Sequence, residues 1–454
     1  MRHTRHIAGL RVIRLTVACL LGLLSAASGQ AQEARRYMLR AADGLLETVL
    51  TRHSLIVVEV LRNDAEAPIV LVAVPASKTN VEIELEVEAD LDVENFERDK
   101  RVDVAERTPS PLLNQSVGAV LEAFSTNTPV SYFGRTVPRS YAAQAAGRIL
   151  RLPAAQAMAT GNSVVAIIDT GVDANHPLLQ GLVVPGYDFT RNLPGTVSDI
   201  ADLDQSVGAV LEQSVGAVLE QLRIQQVNTS TSALLNQSVG AILESLPPAF
   251  GHGTMVAGLV HYVAPTARIM PLKAFRADGT SQLSDIVQAV YYAVDHGARV
   301  INMSFSMPEK SNELARALNY AQKFNAIPVA AAGNDGQTLV RFPAGDSHAI
   351  GAGSTTTLDT LSVFSNYGVS PVRLGTPGEA VVTSFPGGFY AAVSGTSFST
   401  ALLSGAVALQ VQVFRKLSLS HAITDLSQDA VPVSGLGAGR VDLPKALNSS
   451  SRRR

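Results

Sequence analysis

Cysteine is all but absent from the chain: the only one in 454 residues is Cys19. With the leader that contains it removed, no disulfide, thiolate metal site or cysteine nucleophile remains. Apolar runs long enough to cross a bilayer, about 20 residues, are missing after the first thirty positions. A strong charge of either sign is lacking as well, the formal net charge being −3. That balance argues against nucleic acid as a main partner. The terminal Arg452-Arg453-Arg454 is too short to alter it and reads as a frayed end.

What is present begins with a leader. Arg2, Arg5, Arg11 and Arg14 form a basic region, Leu15 to Leu24 an apolar one, and Ser28-Gly29-Gln30-Ala31 a small-residue cleavage site. Residues 1–31 are expected to be a secretory signal peptide, too short in its apolar part to be an anchor. A lipoprotein reading of Cys19 is weak, because the apolar run continues past it. The mature protein is expected to be secreted or periplasmic, with no membrane anchor. Loss of four arginines and no acids would take its net charge from −3 to −7.

Two textures follow. In residues 32–104, Arg36 to Arg40 is strand-like and Gly44 to Arg52 has helical spacing. Leu55 to Leu61 and Ile69 to Val74 are β-branched runs, and an acidic stretch covers Glu82 to Asp103. This predicts a small α+β unit of β-α-β-β character, with residues 105–139 as a polar linker. From about 140 to 447 strand and helix patterns alternate. Strands are expected at Val164–Ile168, Arg268–Leu272, Val300–Met303 and Ile327–Ala332, and helices at Ser284–His296, Leu314–Phe324 and Ser397–Phe414. Such alternation predicts an α/β domain with a mostly parallel sheet covered on both faces. Residues 448–454 form a tail.

The octapeptide Gln-Ser-Val-Gly-Ala-Val-Leu-Glu occurs at 115–122, 205–212 and 213–220, and with Ile for Val at 237–244. Each copy suits a short amphipathic helix. An eight-residue step turns an α-helix about 800°, so the tandem pair cannot share one face of a continuous helix. Residues 203–246 are therefore expected to be an insertion. It is either an expanded DNA repeat tolerated in a surface loop, since closure entropy rises slowly with length, or a partner-binding element.

Three motifs carry chemistry. Asp169 ends an apolar strand, where a carboxylate needs a partner such as an imidazole N–H. His252 lies between two glycines at the start of an apolar helix and suits a general base. Ser397 sits at a turn into a helix, where backbone N–H groups and the helix dipole favour a developing oxyanion. Alone, each has an ordinary explanation: a turn aspartate, one histidine of nine, an N-cap serine. Together they fall in the order Asp–His–Ser, one of three orders in which unrelated folds assemble the same triad. Asn334, after a buried strand in Ala331-Ala332-Gly333-Asn334, could donate its amide to an oxyanion, or mark an Asn-Asp-Gly turn.

These motifs resemble the subtilisin-like serine peptidases, or subtilases. The similar segments are Val165 to Val172, Gly251 to Gly258, Val300 to Ser304, Ala332-Gly333-Asn334, Ser394 to Thr400 and Gly437 to Asp442. The resemblance implies a subtilisin-like three-layer fold over 140–447. It implies that Asp169 orients the imidazole, His252 is base and acid, Ser397 attacks the carbonyl, and Asn334 shares the oxyanion hole with the Ser397 N–H. Ser304, Phe305 and Ser306, with Ala331, Ala332 and Gly333, would lie on the two strands lining the S1 pocket. Residues 36 to about 104, notably Asp92 to Glu97, are similar to the family's inhibitory propeptide.

The implied protein is a secreted endopeptidase made as a zymogen, acting on polypeptides and held by its own propeptide. No cofactor is required for the chemistry, and structural calcium has no ligand spacing that singles out its residues. The second reading is a catalytically weak binding or surface protein in which the repeats carry the function. Three features depart from the family: Ala401 where proline is usual, Ser306 where glycine is usual, and the 83-residue separation of Asp169 and His252.

Overall fold

A computed structural model describes residues 35–63, 68–104, 128–195, 197–203, 246–368 and 372–451. The expected leader, all four octapeptide copies and the Arg452–Arg454 end lie outside these residues.

The N-terminal unit holds β1 (Arg36–Ala41), α1 (Leu46–His53), β2 (Ile56–Arg62), β3 (Ile69–Ala73), α2 (Asn80–Glu88), β4 (Val93–Arg98) and β5 (Arg101–Asp103). The first four strands form an antiparallel sheet in the order β2-β3-β1-β4. Helix α2 occupies part of the acidic stretch and extends the expected β-α-β-β pattern to β-α-β-β-α-β. Its start is fixed by a capping box: Glu82 N donates to Thr79 Oγ1 at 3.2 Å, and Thr79 N to the Glu82 carboxylate at 2.7 Å. Ile83 and Val87, one turn apart, are the residues it buries. The pleat of β1 then divides its side chains, Tyr37, Leu39 and Ala41 into this unit's own core and Met38 toward the larger domain.

The larger domain opens with a hairpin, β6 (Pro129–Tyr132) and β7 (Arg135–Pro138), and three short helices, α3 (Arg139–Ala142), α4 (Ala145–Ile149) and α5 (Leu152–Gln156). Residues 128–138 therefore belong to its packing and not to a linker, since Val137 joins the main core and Tyr132 packs on it. Next come β8 (Val164–Asp169), β9 (Gly186–Asp188), β10 (Leu193–Gly195) and a 3-10 turn at Asp199–Asp202. After the insertion follow α6 (His252–Val263), β11 (Arg268–Lys273), β12 (Thr280–Gln282), α7 (Leu283–Asp295), β13 (Val300–Met303), α8 (Asn312–Lys323) and β14 (Ile327–Ala331). The chain closes with β15 (Ile350–Thr355), β16 (Leu374–Pro377), β17 (Val381–Phe385), β18 (Phe389–Val393), α9 (Thr396–Val413), α10 (Leu419–Gln428) and α11 (Leu443–Ser451), the last running past the expected boundary at 447.

Among the described residues eight strands make the central sheet, ordered β10-β9-β11-β8-β13-β14-β15-β16, and of these only the edge pair β10–β9 is antiparallel. This is the expected three-layer α/β arrangement. Val165 and Ile167 of β8 face a core built with α6 and α9, while Ala166 and Ile168 face one built with α7 and α8. A strand buried on both faces must be apolar throughout, and β8 is apolar until Asp169.

Met38, Ile69 and Leu71 of the N-terminal sheet pack into the α7–α8 side. Polar contacts then fix its register there. Arg40 forms a buried bidentate pair with Glu313 at 3.2 and 3.0 Å. Glu97 accepts from Ser311 Oγ and the Glu313 N–H at the start of α8, and Asp99 from the Ser284 N–H and hydroxyl at the start of α7. Acidic groups at helix N-termini answer both the unpaired N–H groups and the dipole.

Candidate active site

Asp169 and His252 are brought together by β8 ending where α6 begins. His252 Nδ1 lies 2.8 and 3.0 Å from the two Asp169 carboxylate oxygens, and the pair is 1% and 3% exposed. The glycine after the histidine is required by this approach. A Cβ on Gly253 would lie 2.1 Å from the Gly171 carbonyl and 3.2 Å from Asp169 Cβ, forcing strand and helix apart. Thr170 locks the junction: its N–H donates to Asp169 Oδ1 at 2.7 Å and its hydroxyl accepts from Gly253 N at 3.0 Å.

Ser397 is the second residue of α9, which runs under β13 to β16. The His252 ring sits 5.6 Å from that of Phe398, so the imidazole lies against the first turn of α9. Ser397 Oγ donates to the Ser304 carbonyl at 3.0 Å, and Ser304 Oγ donates back to the Ser397 carbonyl at 3.0 Å. Asn334 turns its amide oxygen to Thr396, accepting from that residue's N–H at 2.9 Å and its hydroxyl at 2.8 Å. With the oxygen doubly engaged, the NH₂ group is turned away from Thr396 and remains a donor.

Ser304, Phe305 and Ser306 follow β13, and Ala331 ends the adjacent β14 with Ala332 and Gly333 just after it. Phe305 is fully buried and packs on Phe275 with ring centroids 5.1 Å apart, so its exposed resource is backbone. Ala331 and Ala332 are also buried, while Ser306 is half-buried. Ala401, four residues and about one turn after Ser397, is buried within a continuous α9.

A buried polar cluster behind Asp169 has no signature in the sequence. Asp199 accepts from Thr254 Oγ1 at 2.8 Å, and its Oδ1 has no hydrogen-bond partner among the described residues. Burial pushes its carboxyl up to about 7, with Asp169 adding to the shift against Lys273 and Thr254. Lys273, fully buried, donates to the Thr170 carbonyl at 2.6 Å, Asp202 Oδ2 at 2.6 Å and the Phe275 carbonyl at 2.8 Å. Asp202 also accepts from Ala277 N at 2.8 Å, while the Ala277 carbonyl accepts from Ala249 N at 2.9 Å. One residue thus holds the chain on both sides of the insertion. Among the described residues no group of three or more His, Cys, Asp or Glu could hold a metal ion.

The cleft beside Ser304 contains the end of the N-terminal unit. Strand β5 pairs antiparallel with β12, Asp103 opposite Thr280 and Val102 opposite Ser281. Val104 N donates to the Gly279 carbonyl at 2.9 Å, and Val104 bridges Phe305 on its other side. Gly279 is needed here, since a Cβ on it would stand 2.8 Å from Val104 Cγ2 and 3.2 Å from Ala249 Cβ.

A family model described as the subtilase family matches residues 160–432, more than half the chain and all of the residues just described around Asp169, His252, Asn334 and Ser397. The chain belongs to the subtilase family. It is 33% identical over 298 residues to a thermophilic serine proteinase of Bacillus sp. (strain AK1), covering 62% of this chain and 61% of that one. It is 30% identical over 311 residues to thermitase of Thermoactinomyces vulgaris, covering 66% of this chain and 93% of that one. Subtilisin BL of Lederbergia lenta is 35% identical over 171 residues, 36% of this subtilase and 63% of that protein. The subtilase therefore spans less than two thirds of the first and third of these relatives. Among the described residues no helix is long and apolar enough to cross a membrane.

Proposed function

We propose that this subtilase is an exported serine endopeptidase made as a zymogen, hydrolysing polypeptides through an acyl-enzyme on Ser397. The observation that carries the reading is the buried Asp169–His252 pair, 2.8 Å apart, set against the first turn of the helix that bears Ser397. Asp169 holds Nδ1 and so presents Nε2 as the nitrogen that exchanges protons. Rotation of the Ser397 hydroxyl from the Ser304 carbonyl to His252 would ready it for attack. The freed carbonyl would then accept an N–H of the substrate. Asn334 Nδ2 and the Ser397 N–H at the start of α9 would receive the oxyanion.

His252 then passes its proton to the leaving amine, and water, deprotonated by the same imidazole, releases the acyl group. A neutral His252 is required, so activity falls as pH drops through the imidazole range. Residues 35–104 act as an inhibitory propeptide, supported by β5 and Val104 in the cleft and by the carboxylates on α7 and α8.

The test is labelling of purified protein with an active-site serine phosphonate, beside Ser397→Ala. Labelling of the wild type alone supports the enzyme. If the wild type stays unlabelled once the N-terminal unit is removed, the reading fails in favour of a binding role for the scaffold or its repeats.

A further inference from the structure

We infer that Asp199 is a positioning residue of the active site, holding the first turn of α6, and with it His252, and setting a second carboxyl behind Asp169. The inference rests on the endopeptidase reading and adds a residue that lies outside the three motifs. Its first support is the start of α6, whose opening N–H groups have no partner within the helix. His252 N donates to the Ala249 carbonyl at 3.1 Å and Gly253 N to Thr170 Oγ1 at 3.0 Å. The third, Thr254 N, faces Asp199 Oδ2 at 3.4 Å, and the Thr254 hydroxyl donates to the same oxygen at 2.8 Å. So oriented, that hydroxyl accepts from Asp173 N at 2.8 Å and ties the His252 turn to the segment leaving Asp169.

The second support is the place of Asp199 itself. A Cβ on Gly171, two residues beyond Asp169, would stand 2.9 Å from both Asp199 N and Asp199 Oδ1, so the carboxyl lies directly against that turn. It is fully buried, and Oδ1 has no hydrogen-bond partner among the described residues. Burying a carboxyl with an unmatched oxygen is costly, whereas a neutral asparagine or serine would serve a helix start as well. The turn that bears Asp199 is anchored in its own right. Asp202 Oδ2 accepts from Lys273 Nζ at 2.6 Å, and Lys273 Nζ donates to the Thr170 carbonyl at 2.6 Å. One 3-10 turn thus braces both members of the pair, Asp199 on the His252 side and Asp202, through Lys273, on the Asp169 side.

The charges around Asp199 give its influence a direction. They are Asp169 on β8, Asp173 after it, His252 on α6, Lys273 on β11 and Asp202 in its own turn, with Lys273 committed to Asp202. Burial holds the Asp199 carboxyl up at about 7, so it gains its charge in the range where an imidazole loses one. A negative charge arriving there favours the imidazolium, and the two titrations spread over a wider range than either alone.

The experiment measures hydrolysis of a short chromogenic peptide from about pH 5 to 9 by enzyme freed of its N-terminal unit, with active sites counted by phosphonate labelling. Wild type is compared with Asp199→Asn and Asp199→Ala. In both variants the acid limb of kcat/KM should move to lower pH and sharpen to a single ionisation. Asp199→Ala should also lower kcat by about 10²-fold with KM little changed, and Asp199→Asn, which keeps an oxygen for Thr254, should recover much of that loss. An acid limb left in place by Asp199→Asn is what a purely structural cap would give, and it overturns the inference. So does an Asp199→Ala enzyme with the kcat of wild type. Where circular dichroism shows Asp199→Ala unfolded, the Asp199→Asn profile decides alone. A wild type that is neither labelled nor active overturns the endopeptidase reading and this inference with it.

Discussion

Replacing Asp199 by asparagine should abolish a large pH dependence of stability. The carboxyl is fully buried and raised from an ordinary 3.8 to about 7, chiefly by burial. At 1.36 kcal/mol per pKa unit, that gap is worth on the order of 4 kcal/mol. The sign follows from the direction of the shift. An acid whose folded-state pKa is raised favours the folded state while it is protonated, so the contribution is intact below pH about 4. It is lost as pH rises toward 7, where the unfolded chain ionises freely and the folded one does so only against burial and Asp169. Asparagine keeps an oxygen for the Thr254 hydroxyl and carries no charge. In a Ser397→Ala background, which prevents self-digestion, guanidinium unfolding of the Asp199→Asn chain and its parent should give nearly equal stabilities at pH 4. By pH 8 the asparagine chain should be the more stable by up to about 4 kcal/mol. A difference that stays flat from pH 4 to 8 would show Asp199 ionised and compensated in the folded state, and would refute the reasoning.

Other outcomes follow from the same geometry. Asn334→Ala should lower kcat by about 10²–10³ with little change in KM, the scale known for the corresponding donor in subtilisin; an unchanged kcat in steady-state assays would remove Asn334 from the oxyanion site. Asp285, at the start of α7, is pushed up to about 8 by burial, with Asp99 and Glu59 of the N-terminal unit adding to it. Asp99 and Glu59 therefore favour the docked state while Asp285 is protonated, and docking weakens as pH rises toward 8. The cleaved N-terminal unit should dissociate faster at pH 8 than at pH 5 by size-exclusion, and Asp285→Asn should flatten that dependence. Replacing residues 204–245 by a short Gly/Ser linker should leave a domain that folds and cleaves a short peptide, tested by circular dichroism and a chromogenic substrate. Loss of folding would make the insertion structural.

The sheet was readable because a strand buried on both faces must be apolar: Val164–Asp169, Val300–Met303 and Ile327–Ala331 stand within a residue of their expected bounds. Helix α2 leaves little trace in the sequence although Thr79 and Glu82 spell a capping box, because its acidic surface hides the Ile83–Val87 pair. The hairpin at 129–138 falls inside the expected linker because four-residue strands leave almost no periodicity along the sequence. At the candidate site, the meeting of Asp169 and His252 is legible through motifs whose glycines answer steric demands, Gly253 above all. Asp199 and Lys273 are not. A single buried charge leaves no pattern along a chain, and its meaning lies in partners 55 and 71 residues away.

Ala277 gives the insertion a length-independent footing. Its N–H donates to Asp202 and its carbonyl accepts from Ala249, so the two stems are tied to one residue whatever lies between them. Lengthening a closed loop of this size by eight residues costs about 0.15 kcal/mol of closure entropy. Adding or removing whole octapeptides here therefore costs folding little, and the 2.8 Å contact of Asp169 with His252 does not depend on their number. On the expanded-repeat reading, the repeats would occupy a place where replication errors are cheap to keep, an entry point for new sequence in an otherwise constrained fold.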